Sequence, residues 1–222
     1  MNKQAIATAL LVLVALAGQA QEKLTLIDCE DIAWLAKHPQ MSFYDNEKAR
    51  LLIPQNAAFG VEHRPSFSTE WALSYDSVAH ALIFNEAQES IWEATYHSMY
   101  KLKHVKRNHS KWVPRKHPKN YEAPDVKTYT LAISAEQAGM LRAIWQNAIG
   151  MAVKREDLML DGTTWEFFIG EQRAKARTDR YTVVKLVEQL AEVTKAGDTC
   201  RCDSFITAEF QRIGLGEGNA HD

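Results

Sequence analysis

The chain has 222 residues, 46% of them hydrophobic, and it carries 26 basic against 28 acidic side chains. Six Trp, eight Phe and seven Tyr residues supply enough apolar material for one core, which excludes an intrinsically disordered protein. The net charge of −2 argues against a dedicated nucleic-acid-binding protein.

The first twenty residues have the pattern of an export signal. Lys3 gives a positive start, an apolar run extends from Ala5 to Ala17 with Thr8 as its polar member, and Gly18-Gln19-Ala20 supplies the small residues that a signal peptidase requires. The run is shorter than the roughly 20 residues that a transmembrane helix needs. We therefore predict cleavage near Gln21 and a periplasmic or secreted protein without a transmembrane segment.

The remainder has the size of one domain with a short segment in front of it. The predicted parts are a signal peptide at 1–20, a helical or loop segment at 21–65, an α+β domain at 66–214 and a flexible tail at 215–222. In the first segment we expect a short helix from Asp28 to Lys37, a weak helix or loop from Phe43 to Phe59, and a connector from Gly60 to Pro65.

A three-stranded meander is predicted next, because apolar residues recur at every second position. The strands are expected at Trp71 to Asp76, at His80 to Asn85, and across the run from Ile91 to Tyr96. A further strand ends near Ile133, where Ser134 and Gln137 have the spacing of a capping box and begin a helix.

The C-terminal third predicts a second hairpin followed by two helices. Its strands are expected at Thr163 to Ile169 and at Arg173 to Thr178, joined by a turn at Gly170-Glu171. One helix ends at Gly197 and another begins near Cys202. The predicted fold class is α+β: an antiparallel sheet built from hairpins and a meander, with about three helices packed on one face.

The segment from Lys101 to Lys119 contains eight basic residues and no acidic residue. Three prolines in and after this segment predict a long surface loop. Its cations are interspersed with aromatic residues, a combination that a polyanion site requires. The candidate ligand-binding residues are Lys106, Arg107, Lys111, Trp112, Arg115 and Lys116. The alternative is a solvated charged loop without a ligand.

The three cysteines predict a structural disulfide, because an exported chain meets an oxidising compartment. Cys200 and Cys202 are too close in sequence for an easy bridge with each other, so Cys29 is expected to pair with one of them. A redox pair and a metal site are the alternatives, but the Cys-x-x-Cys spacing and a fourth ligand are both absent.

Two further groups of residues carry possible chemistry. Four histidines, at positions 97, 104, 109 and 117, have no metal-ligand spacing, and the surrounding cations disfavour a metal, so no metal site and no cofactor are predicted. The acid and hydroxyl groups of Asp161, Thr163, Thr164 and Glu166 suit glycoside or ester hydrolysis. The chain has no Gly-x-Ser-x-Gly or His-Glu-x-x-His motif, and no catalytic residue is assigned.

The run Leu160-Asp161-Gly162-Thr163-Thr164-Trp165-Glu166-Phe167, followed by Arg173-Ala174-Lys175 and an amphipathic helix, resembles a pattern in small exported bacterial proteins of Bacteroidetes type. The likeness covers about residues 126–195. It implies an α+β domain in the cell envelope and assigns no catalytic residues.

These observations predict a binding module for an envelope component, a glycan or a protein partner, acting through an exposed sheet face or the basic segment. A hydrolase with an unrecognised site and an inhibitor or immunity-type protein are the alternatives. A hydrolase is expected to gather ionisable groups with perturbed pKa values in one pocket, whereas a binding module is expected to show an open apolar or cationic surface.

Overall fold

The computed structural model describes residues 24–26, 37–65, 68–106, 109–153, 163–176 and 181–215. The predicted export signal, the helix from Asp28 to Lys37, the turn at Asp161-Gly162, and Cys29 lie outside these residues. The fold is α+β, as the sequence predicts.

The main sheet of the described residues is antiparallel and has seven strands. They are β1 (Thr25–Leu26), β2 (Ala57–Arg64), β3 (Trp71–Asp76), β4 (Ala81–Ala87), β7 (Val126–Ala132), β8 (Thr164–Ile169) and β9 (Gln172–Ala176). Their spatial order is β1-β9-β8-β2-β3-β4-β7, so β2 lies at the centre. β5 (Tyr100–Lys106) and β6 (His109–Pro114) form a separate two-stranded ribbon.

Helices lie on both sides of this sheet. Those described are α1 (Pro39–Leu52), α2 (Ile91–Met99), α3 (Ala135–Gly150), α4 (Thr182–Ala196) and α5 (Thr199–Arg212). Of these, α3, α4 and α5 cover one face as predicted, and their apolar stripes form the larger core with the inward side chains of the strands. The capping box that begins α3 at Ser134 is present, and Gly197 ends α4 in the left-handed conformation at φ 68°.

The second face of the sheet, here called the outer face, is partly covered by α1. Tyr44 and Leu52 of this helix pack with Ala72, Ala87 and Ile91 in a smaller apolar cluster. The Asn85 side chain donates a hydrogen bond of 2.8 Å to the backbone carbonyl of Leu52, which ties the end of α1 to β4.

The helix predicted from Phe43 is present as part of α1, which ends at Leu52 before Pro54, but the predicted element does not extend to Phe59 because Ala57–Arg64 is β2. Three sequence predictions are wrong. The predicted connector from Gly60 to Pro65 is mostly this central strand. The predicted loop at 101–119 contains the β5–β6 ribbon, and the described part after Pro114 is irregular.

The third error concerns the run from Ile91 to Tyr96, which was predicted as a strand and is helix α2. The hydroxyl of Ser90 accepts a hydrogen bond of 3.2 Å from the Glu93 backbone. The buried carboxylate of Glu70 accepts hydrogen bonds of 2.9 and 2.8 Å from the backbone N–H groups of Ile91 and Trp92. These acceptors satisfy N–H groups that a helix start leaves open, so the helix is favoured over a strand.

No helix in the described part of the chain has both the length and the apolar character that crossing a membrane requires.

Candidate functional site

The β5–β6 ribbon has two chemically different faces. Residues paired directly across an antiparallel ladder lie on the same face, so the register assigns each side chain. Among the residues whose side chains are described, the apolar face carries Tyr100, Leu102, Trp112 and Pro114. The cationic face carries Lys101, Lys103, Lys111 and Val113. The ribbon is therefore amphipathic across its thickness.

The apolar face is exposed at its centre. Leu102 and Trp112 are directly paired, and they are 50% and 48% exposed. Both residues belong to the few large apolar side chains that the described part of the chain leaves open to solvent. The two side chains together form one small exposed apolar patch on the ribbon.

An aromatic cluster joins the base of the ribbon to α2. The Tyr100 ring stacks on the Tyr96 ring at a centroid distance of 4.3 Å. The Trp112 ring meets the rings of Tyr96 and His97 at 6.0 and 6.2 Å. A two-stranded ribbon alone is marginally stable in water, so these contacts help to hold it in place.

Among the described residues, no acidic side chain forms a salt bridge with a lysine of the cationic face. Lys103 lies directly opposite Lys111, and all three lysines of this face are exposed. Like charges placed opposite each other destabilise a ladder. An anion bound at this face would relieve their repulsion.

The structure places the predicted ligand-binding residues at different points along this region. Lys111 and Trp112 are exposed on β6, Lys116 is exposed in the segment after it, Lys106 ends β5, and Arg107 lies outside the described residues. The Arg115 side chain donates a hydrogen bond of 3.2 Å to the Tyr100 carbonyl and closes the base of the ribbon. The sequence analysis missed Lys101, Leu102 and Lys103, although their alternation was a usable signal of a strand.

A buried ionic cluster occupies the outer face of the main sheet. Glu62 of β2 and Glu166 of β8 are directly paired across the ladder. Lys48 of α1 contacts Glu62 at 2.9 Å, and both side chains are at most 5% exposed. Arg173 of β9 contacts Glu166 at 2.7 Å and Glu62 at 3.4 Å. The two cations thus neutralise two carboxylates that would otherwise repel each other.

The electrostatics of this cluster oppose a role in acid catalysis. Burial alone would raise the pKa of Glu166, but Lys48 and Arg173 together hold it below its ordinary value. Lys48 keeps its proton because the carboxylates around it outweigh the effect of burial and raise its pKa. Glu166, one of the predicted acid/base candidates, is therefore ionised and paired at neutral pH, and Asp161 lies outside the described residues.

A buried polar pair lies on the helix-covered face at the end of β2. The His63 ring stacks on Trp71 at 4.5 Å and meets Trp165 at 5.2 Å. His63 Nδ1 and Trp165 Nε1 are buried, and neither has a hydrogen-bond partner in the described structure. Burial, with a smaller contribution from Lys48, lowers the pKa of His63 to about 4. The imidazole is thus neutral at physiological pH.

A groove of about 660 Å³ lies between α3 and α5. Of the polar residues that line it, Ser134 caps α3. The Gln137 amide of α3 donates a hydrogen bond of 2.9 Å to Asp203 of α5. This arrangement holds the two helices together and does not form an acid/base pair.

The predicted disulfide is not present at the C-terminal cysteines. Cys200 is exposed and Cys202 is buried on α5, and both are free thiols, while Cys29 lies outside the described residues. Burial raises the pKa of the Cys202 thiol to about 11, so it is protonated and unreactive at neutral pH. Within the described ranges, no cluster of His, Cys, Asp and Glu has the grouping of a metal site.

Comparison of the chain with protein-family models, with curated proteins and with solved structures finds no match.

Proposed function

We propose that this protein is an exported binding module, and that its β5–β6 ribbon binds a polyanionic component of the cell envelope. The observation that carries the proposal is the cationic face of the ribbon, where three lysines are exposed and Lys103 is paired directly with Lys111. The export pattern of residues 1–20 supports the location, because it directs a chain to the envelope or beyond.

The distribution of charge favours this ribbon over the rest of the surface. The segment from Lys101 to Lys119 carries eight cations on a chain whose net charge is −2, so the remainder is acidic. A local cationic patch on an acidic body attracts polyanions to one place and orients the protein as it approaches. The main charges of the buried ionic cluster, in contrast, are paired with one another: Lys48 contacts Glu62, and Arg173 contacts Glu62 and Glu166.

Retention on immobilised heparin tests the proposal. We expect the full chain to be retained and to elute as salt rises. The triple substitution Lys101→Ser, Lys103→Ser and Lys111→Ser is expected to elute earlier, with the slope of log affinity against log salt reduced by about 3.

The matched control replaces Lys37, Lys127 and Lys185, which are exposed lysines in other parts of the chain, with serine. Both triple variants lose the same net charge, so only the position of the charge differs. If the two variants elute together, or if the unmodified chain is not retained at all, the proposed function is wrong.

A further inference from the structure

We propose that the polyanion bound by the β5–β6 ribbon is the surface of a lipid bilayer that contains anionic headgroups. This inference depends on the proposed function and names the partner of the same site. It follows from the apolar face of the ribbon, which binding through charge alone leaves unexplained.

The exposed aliphatic side chain is the first argument. Leu102 is 50% exposed and is paired with Trp112, which is 48% exposed. An indole ring can stack on a sugar or a nucleobase, but a leucine side chain gains little from either. Both side chains gain by leaving water for hydrocarbon, and tryptophan in particular favours the boundary between headgroups and acyl chains.

The separation of the two faces is the second argument. The bases and phosphates of a nucleic acid, or the rings and sulfates of a glycan, reach a protein from the same side. Here the apolar pair and the three lysines lie on opposite faces of the ribbon. A bilayer requires this separation, because an amphipathic element in its surface buries one face below the phosphates and keeps the other in the headgroup layer.

The size of the ribbon fits this position. Sheets pack face to face about 10 Å apart, so a single ribbon with its side chains is about that thick, and the apolar face of an interfacial element enters the bilayer by roughly 5 to 10 Å. Leu102 and the exposed half of Trp112 are directed to the acyl chains, while the part of the apolar face beside α2 stays in contact with the Tyr96 ring. Lysine side chains are long enough to extend to the phosphates from the upper face. The aromatic contacts of Tyr96 and Tyr100 hold the ribbon in one orientation before it binds.

Binding to vesicles separates the two contributions. We compare sedimentation with vesicles of phosphatidylcholine and phosphatidylglycerol at a ratio of 3:1 with sedimentation with pure phosphatidylcholine. The unmodified chain is expected to bind the anionic vesicles more tightly. The triple lysine variant described above is expected to bind them ~100-fold more weakly, since each basic residue contributes about one kilocalorie per mole near an anionic surface.

The decisive variant is Leu102→Ser, which leaves Trp112 and its ring contacts with α2 in place. It is expected to lose ~10-fold in affinity for the anionic vesicles while its retention on heparin stays unchanged. The matched control is Leu215→Ser, which makes the same substitution at an exposed leucine elsewhere in the chain. Every variant carries the same N-terminal apolar run, so differences between variants report on the ribbon alone.

A second measurement does not depend on the Leu102→Ser variant. Vesicles with brominated acyl chains quench indoles that enter the bilayer. Trp112→Phe keeps the face apolar, so this variant is expected to bind as before and to lose most of the quenching. Quenching that persists in Trp112→Phe would overturn the inference.

The remaining outcomes separate the two proposals. If Leu102→Ser binds vesicles like the unmodified chain, or loses heparin and vesicle binding equally, the bilayer is not the partner, and binding of heparin by the unmodified chain still supports the proposed function. If the unmodified chain binds neither heparin nor anionic vesicles, both proposals are wrong.

Discussion

Replacement of His63 by phenylalanine is expected to make the fold less sensitive to acid. The pKa of His63 falls from an ordinary value of 6.5 to about 4 on folding, chiefly because the ring is buried against Trp71 and Trp165. Between these two values the unfolded chain binds a proton that the folded protein does not, so stability falls as the pH drops through this range. Since one pKa unit corresponds to about 1.4 kcal/mol, the expected loss between pH 7 and pH 4 is about 3 kcal/mol.

The assay is urea unfolding of the unmodified chain and of His63→Phe at pH 7, 6, 5 and 4. Other groups titrate in both proteins, so the difference between the two at each pH isolates the imidazole. We expect the variant to be at least as stable at pH 7, because the buried unpaired Nδ1 is removed. Below pH 6 its advantage should increase. His117→Phe, which changes an exposed histidine, is the control and should leave the profile unchanged. A difference between His63→Phe and the unmodified chain that stays constant from pH 7 to pH 4 would refute the reasoning.

Two further predictions concern the outer face of the sheet and the packing around β2. Lys48→Met removes one member of the buried ionic cluster and should lower the free energy of unfolding in urea by about 3 to 5 kcal/mol. Adding Glu62→Leu should recover most of this loss, because the unpaired buried carboxylate is then removed as well. A double variant no more stable than the single one would contradict this account. Gly60→Ala should cost about 1 to 3 kcal/mol, because an added Cβ would lie 2.6 Å from the Leu73 carbonyl oxygen. Gly139→Ala, with no atom within 4 Å of the new methyl group, should instead stabilise α3 by roughly 0.5 to 1 kcal/mol. Equal thermal shifts for the two glycine variants would show that packing at Gly60 is looser than described.

The elements that could be predicted from the sequence are those whose signals are local. β3 and β4 alternate clearly, because one side of each strand enters the core formed with α3, α4 and α5. The Ser134 and Gln137 pair defines the start of α3 within four residues of chain. The turn at Gly170 needs a positive φ, which glycine adopts without strain.

β2 could not be predicted, because its stability comes from residues far away in sequence. Glu62 is 3% exposed on the outer face, where hydrophobic periodicity predicts an apolar residue. Its burial depends on Lys48 and Arg173, which reach it from a helix before it and a strand much later in the chain. A prediction based on the hydrophobic periodicity of one segment therefore places such a residue in a surface loop.

The ribbon was missed for a different reason. Its charge density and the prolines near it indicated a loop, and this outweighed the alternation from Tyr100 to Lys103. Both strands are short and pack chiefly against α2 among the described elements, so they leave little apolar signal. The sequence therefore predicts that the candidate site is cationic and aromatic. Which side chains lie on the apolar face and which on the cationic face follows only from the register of the ladder.

The direction in which the β5–β6 ribbon projects depends on buried residues, because α2 continues directly into β5. Tyr100 is both the residue that caps α2 and the first residue of β5, so no linker lies between helix and strand. The opposite end of α2 is anchored by the Glu70 carboxylate, which also accepts a hydrogen bond from the Tyr44 hydroxyl. A substitution of Glu70 would change the direction of the β5–β6 ribbon without changing any residue on its two faces. A survey restricted to surface positions would overlook such a determinant of recognition.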